Sequence, residues 1–150
     1  MEKDECWSAV LDRQEGVLQL AIERFLACPL FGVKDLTPSN LPAEAGVYAF
    51  YPRGGDVPFH IGESKNLRQR IYQNQLRGQL RQSPLKRKVS TRTGLQGAAL
   101  RNYTFDHFLV RFLLLPLGRI ELEDRLNAHF GIVESSPRNK SRAYRLVERN

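Results

Sequence analysis

Gly46-Val-Tyr-Ala-Phe-Tyr-Pro-Arg-Gly-Gly-Asp-Val-Pro-Phe-His-Ile-Gly-Glu-Ser-Lys-Asn-Leu-Arg-Gln-Arg70 is the most informative run in this 150-residue chain. Its first part, Gly46 to Tyr51, is β-branched and aromatic, which predicts a strand. Pro52 to Asp56 supplies turn residues, and Val57 to Gly62 predicts a second short strand, so the pair predicts a hairpin. Asn66 then offers its side chain as an N-cap for a helix from Leu67 to about Gly78.

Before the hairpin, Trp7, Val10, Leu11, Val17, Leu18, Ala21, Ile22, Phe25 and Leu26 recur at three- and four-residue steps. That spacing predicts an amphipathic helix stopped by Pro29, followed by a connecting loop up to Gly46. After the hairpin, Gln82 to Ser90 predicts a second helical piece and Thr91 to Ala98 a loop. Phe105 to Leu115 predicts a third strand closed by Pro116, with Phe108, Val110, Phe112 and Leu114 on one face. Gly118 to Phe130 predicts a last helix ending at Gly131. The expected fold class is α+β: a small three-stranded antiparallel sheet flanked by helices, with an added N-terminal helix. Residues 1–40 form the helix and connecting loop, and residues 41–150 the main domain.

The totals narrow the functional classes. An apolar fraction of 41% suits one compact domain. No apolar run is long enough to span a bilayer. The N-terminus is acidic where a secretory signal would be basic. Cys6 and Cys28 lack metal-ligand spacing, so reduced thiols in a cytoplasmic compartment are expected. The net charge of +7 is unevenly placed. From Ser64 to Phe105 there is no acid, while Lys65, Arg68, Arg70, Arg77, Arg81, Lys86, Arg87, Lys88, Arg92 and Arg101 all fall there. A one-sided basic block concentrates a polyanion and releases its counterions. Nucleic acid is the expected partner, through Lys65, Arg68, Arg77, Arg81, Lys86, Arg87, Lys88 and Arg92. A solvated basic face, or a surface for an acidic protein, is the plainer alternative.

Two charges fall at the edge of apolar helix faces. At about 100° per residue, Arg70 lies beside Leu67, Ile71 and Asn74, and Glu123 lies between Ile120 and Phe130. A buried charge is costly unless it is paired or bound to a metal. From the residues alone, an internal Arg70–Glu123 salt bridge competes with a functional site.

Gly46-Val47-Tyr48, His60-Ile61-Gly62, the helix carrying Arg70 and the later helix carrying Glu123 together resemble the GIY-YIG nuclease family. The resemblance covers residues 46–139. It implies that Tyr48 holds or deprotonates the attacking water, that Arg70 grips the phosphate, and that Glu123 binds one Mg²⁺ or Mn²⁺ ion. The implied reaction is hydrolysis of DNA to 5′-phosphate and 3′-hydroxyl ends, with RNA left open as a target. The chain departs from the pattern where the second motif usually begins with tyrosine. His60 stands there, able to bond a phosphate, relay a proton or mark a weakened site. Tyr48 and His60 must share a hairpin face to serve one site. Asn74 occupies a position where some relatives carry histidine, and Asn139, after Pro137, corresponds to an asparagine many relatives have near the site. His107 and His129 have no motif support. The alternative is a catalytically weak or inactive nucleic-acid-binding module on the same fold. With no zinc-finger pattern and no added helix-turn-helix, site choice is expected to rest on the basic stretch, a homodimer or a protein partner.

Overall fold

In a computed structural model, residues 2–132 are described, the side chains of residues 2–5 excepted. Asn139 and the rest of the tail lie outside the described residues. The fold is α+β, with a four-stranded antiparallel sheet in the order β1-β4-β2-β3. The strands are β1 (Phe31–Gly32), β2 (Gly46–Pro52), β3 (His60–Ser64) and β4 (Phe108–Leu114). The expectation of three strands is corrected by β1. It is two residues long and pairs with Leu109 and Val110 of β4. A segment so short leaves no period-two signature, so the connecting loop hid it.

The long central strands β2 and β4 are covered on both faces. On one face Ala21, Ile22 and Phe25 of α1 (Glu2–Ala27) pack with Val47, Ala49, Ile61 and with Leu122 and Leu126 of α4 (Arg119–His129). On the other, Tyr48, Phe50 and Val110 pack with Leu67, Ile71, Leu85 and Leu100. The segment expected as a connecting loop contributes Val33, Leu36 and Leu41 to that second core. The region 1–40 therefore packs on the same sheet as the rest.

Several boundaries move. β3 begins at His60, not Val57, and runs on to Ser64. Asn66 does cap its helix, its Oδ1 accepting from the Gln69 N–H at 3.1 Å. The helix expected to Gly78 is π-helical over Gln69–Leu76. Its wide turn is closed by an Arg77 N–H to Tyr72 carbonyl bond of 3.0 Å. Helix α2 spans Pro84–Thr93, with Ser83 as N-cap.

Between the expected loop, Thr91 to Ala98, and the expected strand from Phe105 lies a third helix, α3 (Gly97–His107), which takes the end of the one and the start of the other. Consequently β4 starts at Phe108, not Phe105. Finally, the stripe on α1 is only half used. Trp7, Leu11 and Val17 are exposed, while Phe25 is wholly buried. No helix among the described residues is long and apolar enough to cross a membrane.

Candidate functional site

The site grows from the hairpin register. Tyr48 lies opposite Gly62, and Phe50 opposite His60. Side chains alternate along a strand, so Tyr48, Phe50 and His60 share one face. The Tyr48 and His60 rings stand 6.0 Å apart, which meets the condition for one site. Gly62 has a specific reason to be glycine. A Cβ there would sit 2.4 Å from Tyr48 Cζ and Oη, so the phenol rests directly on bare backbone. Gly46 is also tight, with the Leu113 carbonyl 2.2 Å from the position of a Cβ.

The π-helix lies over this face. Arg70 Nε donates to Tyr48 Oη at 3.2 Å, and Gln75 Nε2 donates to the same oxygen at 2.8 Å. In an α-helix, residues five apart point about 140° away from each other. With i to i+5 bonding they come round to the same side, so both can serve one phenol. Gln75 was not singled out from the sequence. A wheel turning at α-helical pitch places it away from Arg70, and only the change of pitch reunites them.

The orientation of the Gln75 amide is set from its other end. Its Oε1 accepts from the Leu85 N–H at 3.1 Å and from Ser83 Oγ at 3.1 Å. A backbone N–H only donates, so the carbonyl must face Leu85 and the NH₂ must face the hairpin. That NH₂ also stands 3.2 Å from His60 Nε2. Lys88 Nζ is 3.3 Å from His60 Nδ1. Each ring nitrogen of His60 thus faces a nitrogen donor, and the residue is only 4% exposed.

Tyr48 is itself buried, whereas Arg70 and Glu123 are half-buried. Burial pushes the Tyr48 phenol above its usual range; the Arg70 charge and the bonds from Gln75 and Arg70 pull it back, and the Glu123 charge pushes it up. Glu123 therefore acts electrostatically on the same hydroxyl that Arg70 and Gln75 bond. With two donors filling the oxygen's lone pairs, the phenol proton is free to point in a third direction.

The basic residues divide by role. Lys65, Arg77, Arg81, Arg87 and Arg92 are exposed. Arg92 lies over the Phe59 ring at 4.8 Å, and Arg77 over Tyr72 at 5.5 Å. Arg68 is tied to the core, its Nε donating to the Leu41 carbonyl at 2.8 Å. Lys88 belongs to the His60 cluster. Lys86 is nearly buried, 7% exposed, with Nζ donating to the Gly78 carbonyl at 2.9 Å. It falls on the inward side of α2 with Leu85 and Val89.

Glu63, a further acid of the hairpin, is engaged by Arg119 of α4, whose Nε donates to it at 2.7 Å. Among the described residues no group of three or more His, Cys, Asp or Glu converges as a metal cage. What Glu123 offers is a single half-buried carboxylate, a donor set suited to an ion that keeps most of its waters. His107 bonds and stacks on Tyr103, and His129 packs edge-on to Phe130. No protein-family model matches the chain, and no curated protein matches it.

Proposed function

We propose that this chain is a metal-dependent endonuclease of the GIY-YIG type, hydrolysing DNA phosphodiesters to 5′-phosphate and 3′-hydroxyl ends. The observation that carries the reading is the Tyr48 hydroxyl, bonded by Arg70 and Gln75 and influenced by the charge of Glu123. Glu123 would hold one Mg²⁺ or Mn²⁺ ion, which supplies Lewis-acid polarisation of the phosphate.

The chain's own groups then have definite work. Tyr48, ionised beforehand by loss of its proton to solvent, orients the attacking water and takes the water's proton as the oxygen adds to phosphorus, returning to the neutral phenol. The two bonded donors favour the ionised form from which it acts. The P–O3′ bond breaks, and the 3′-oxygen leaves and takes a proton from solvent water. Arg70, next to the phenol, offsets charge building on the phosphate oxygens. Glu123, once its charge is compensated by a cation, no longer pushes the Tyr48 phenol upward. The exposed Arg77, Arg81, Arg87 and Arg92 supply the sequence-independent hold on the backbone.

The test is nicking of supercoiled plasmid with Mg²⁺ or Mn²⁺. Arg70→Ala and Glu123→Ala should each lose roughly 10²–10³-fold in rate, the scale of removing one charge-stabilising group. Arg70→Lys should not rescue, because an ammonium lacks the Nε–H that meets Tyr48. Intact plasmid with several metals and substrates at high enzyme overturns the proposal.

One observation favours a second reading, a nucleic-acid-binding module without catalysis. His60 takes the usual tyrosine position and is enclosed between Gln75 and Lys88. Salt-dependent DNA binding without cleavage would mark that outcome.

A further inference from the structure

Lys86 is, among the described residues, a buried cation without an acidic partner. Among the described residues its ammonium meets one acceptor, the Gly78 carbonyl, and no carboxylate. An ammonium has three N–H donors, so two are left over. Burial lowers the Lys86 pKa, and the nearby Arg101 charge lowers it further. Such a group is costly unless something compensates it.

The same lysine lines a pocket of about 460 Å³ together with Arg81, Gly78, Gln79, Gly97 and the apolar Leu80 and Leu100. Arg81 adds an exposed guanidinium at that wall. Gly97 is the first residue of α3, held at φ 59° where a side chain would be strained, and α3 has no side-chain cap. First-turn N–H groups of a helix have no partners within it. Lys86, Arg81 and Gly97, the start of α3, thus border one concavity, inside the stretch that contains no acid.

We infer that this pocket seats a phosphate group of a nucleic-acid backbone, away from the Tyr48 site. The inference rests on the nucleic-acid part of the function proposed above and is independent of cleavage. A phosphate completes the Lys86 donors and compensates a charge that the described residues leave without an acid. Its seat stands just beyond the π-helical segment, so the Gly78 carbonyl that holds Lys86 follows directly on the element that places Arg70. A second anchored phosphate of this kind fixes the register of the strand relative to the catalytic arginine.

The experiment uses the full chain and two probes, inorganic phosphate and a short DNA duplex, read by amide chemical shifts and by fluorescence anisotropy across a salt series. Phosphate should shift the Gly97 and Ala98 amides, and Lys86→Met should abolish those shifts. Lys86→Met should weaken duplex binding about tenfold and reduce the salt slope by about one. Arg81→Gln, at an exposed position that leaves the fold intact, should weaken it severalfold in the same direction. Duplex affinity and slope unchanged in both variants overturn the inference. Phosphate shifts without any duplex binding also overturn it, since the source is then a free anion. Duplex binding that depends on Lys86 but never leads to cleavage upholds the pocket and removes only the nuclease reading.

Discussion

The Gln75 side-chain nitrogen lies 2.8 Å from the Tyr48 hydroxyl and 3.2 Å from His60 Nε2, so one buried amide joins both aromatic residues of the hairpin. The far end of the same amide is locked by Leu85 and Ser83 on the approach to α2. The relationship makes Gln75 a positioning residue for the phenol: it holds the ring over Gly62 and supplies one of two bonds that favour phenolate.

Gln75→Leu should therefore move the Tyr48 titration further upward and slow cleavage by roughly 10–100-fold, the scale of a hydrogen bond to a charged group. It also strands the Leu85 N–H, which costs about 1–3 kcal/mol in stability, whereas the Ser83 hydroxyl keeps its bond to the Gln75 backbone carbonyl. Gln75→Glu keeps the acceptor for Leu85 but places a carboxylate beside Tyr48, so it should raise the phenol pKa while losing less stability. The phenolate absorbance of each variant, corrected by the same variant carrying Tyr48→Phe, reads the titration directly. An unmoved Tyr48 titration in Gln75→Leu removes the positioning role.

Gly62→Ala should destabilise the protein by about 1–3 kcal/mol, because the new Cβ meets a ring that Arg70 and Gln75 hold in place. Tyr48→Leu on its own loses the buried phenol. Combined with Gly62→Ala it should lose less than the sum, since the clash disappears with the ring. Denaturant unfolding of the four proteins gives the coupling, and strict additivity would show that the ring and the glycine do not share the space.

Alkaline pH provides a separate check on the buried phenol. Burial raises the Tyr48 pKa above that of the unfolded chain, near 10. Below the unfolded value both states are protonated, and the stabilising contribution is complete. Above it the unfolded chain ionises first, so stability falls as pH rises toward the folded pKa. Lys86 works in the opposite sense: its pKa is lowered in the fold, and its contribution grows as pH rises through the folded value toward about 10.5. Tyr51, also raised by burial, adds to the alkaline loss. The difference between wild type and Tyr48→Phe isolates the Tyr48 part. It should be flat to about pH 9 and then narrow. A flat difference up to pH 12, with the fold intact, would contradict a buried, raised phenol.

The hairpin was legible because β-branched and aromatic runs on either side of a Pro-Arg-Gly-Gly-Asp turn are strong local signals. That Tyr48 and His60 share a face depended on the register the turn sets, and the structure supplies it. Helix α4 was equally legible from Leu122, Leu126 and Phe130. Other features depend on information not local to their residues. α3 begins at a left-handed Gly97 and mixes Asn102, Thr104 and Asp106 into its turns, so its propensity is weak and tertiary packing of Leu100 and Thr104 makes it a helix. The pairing of Arg70 with Gln75 needs a π-turn, which no hydrophobic period announces. The burial of Lys86 follows from α2 leaning on the end of that turn.

The stripe of α1 is the clearest case of a correct period with a different outcome, and it yields a prediction. Trp7, Leu11 and Leu18 continue the face that buries Ala21, Ile22 and Phe25. Yet Trp7 is 67% and Leu11 57% exposed, against 0% for Phe25. Helical periodicity reports which residues share a face, not how far along it the body of the protein extends. Only the last two turns of α1 rest on the sheet and α4, with an exposed Glu15–Arg125 pair at the edge of the contact. Trp7→Ala and Leu11→Ala should accordingly change stability by no more than about 0.5 kcal/mol. Phe25→Ala empties a packed site and should cost about 3–5 kcal/mol. At this chain length that separates the melting temperatures by on the order of 10 °C. If Trp7→Ala melts as low as Phe25→Ala, the upper half of α1 is covered in solution by something that binds it.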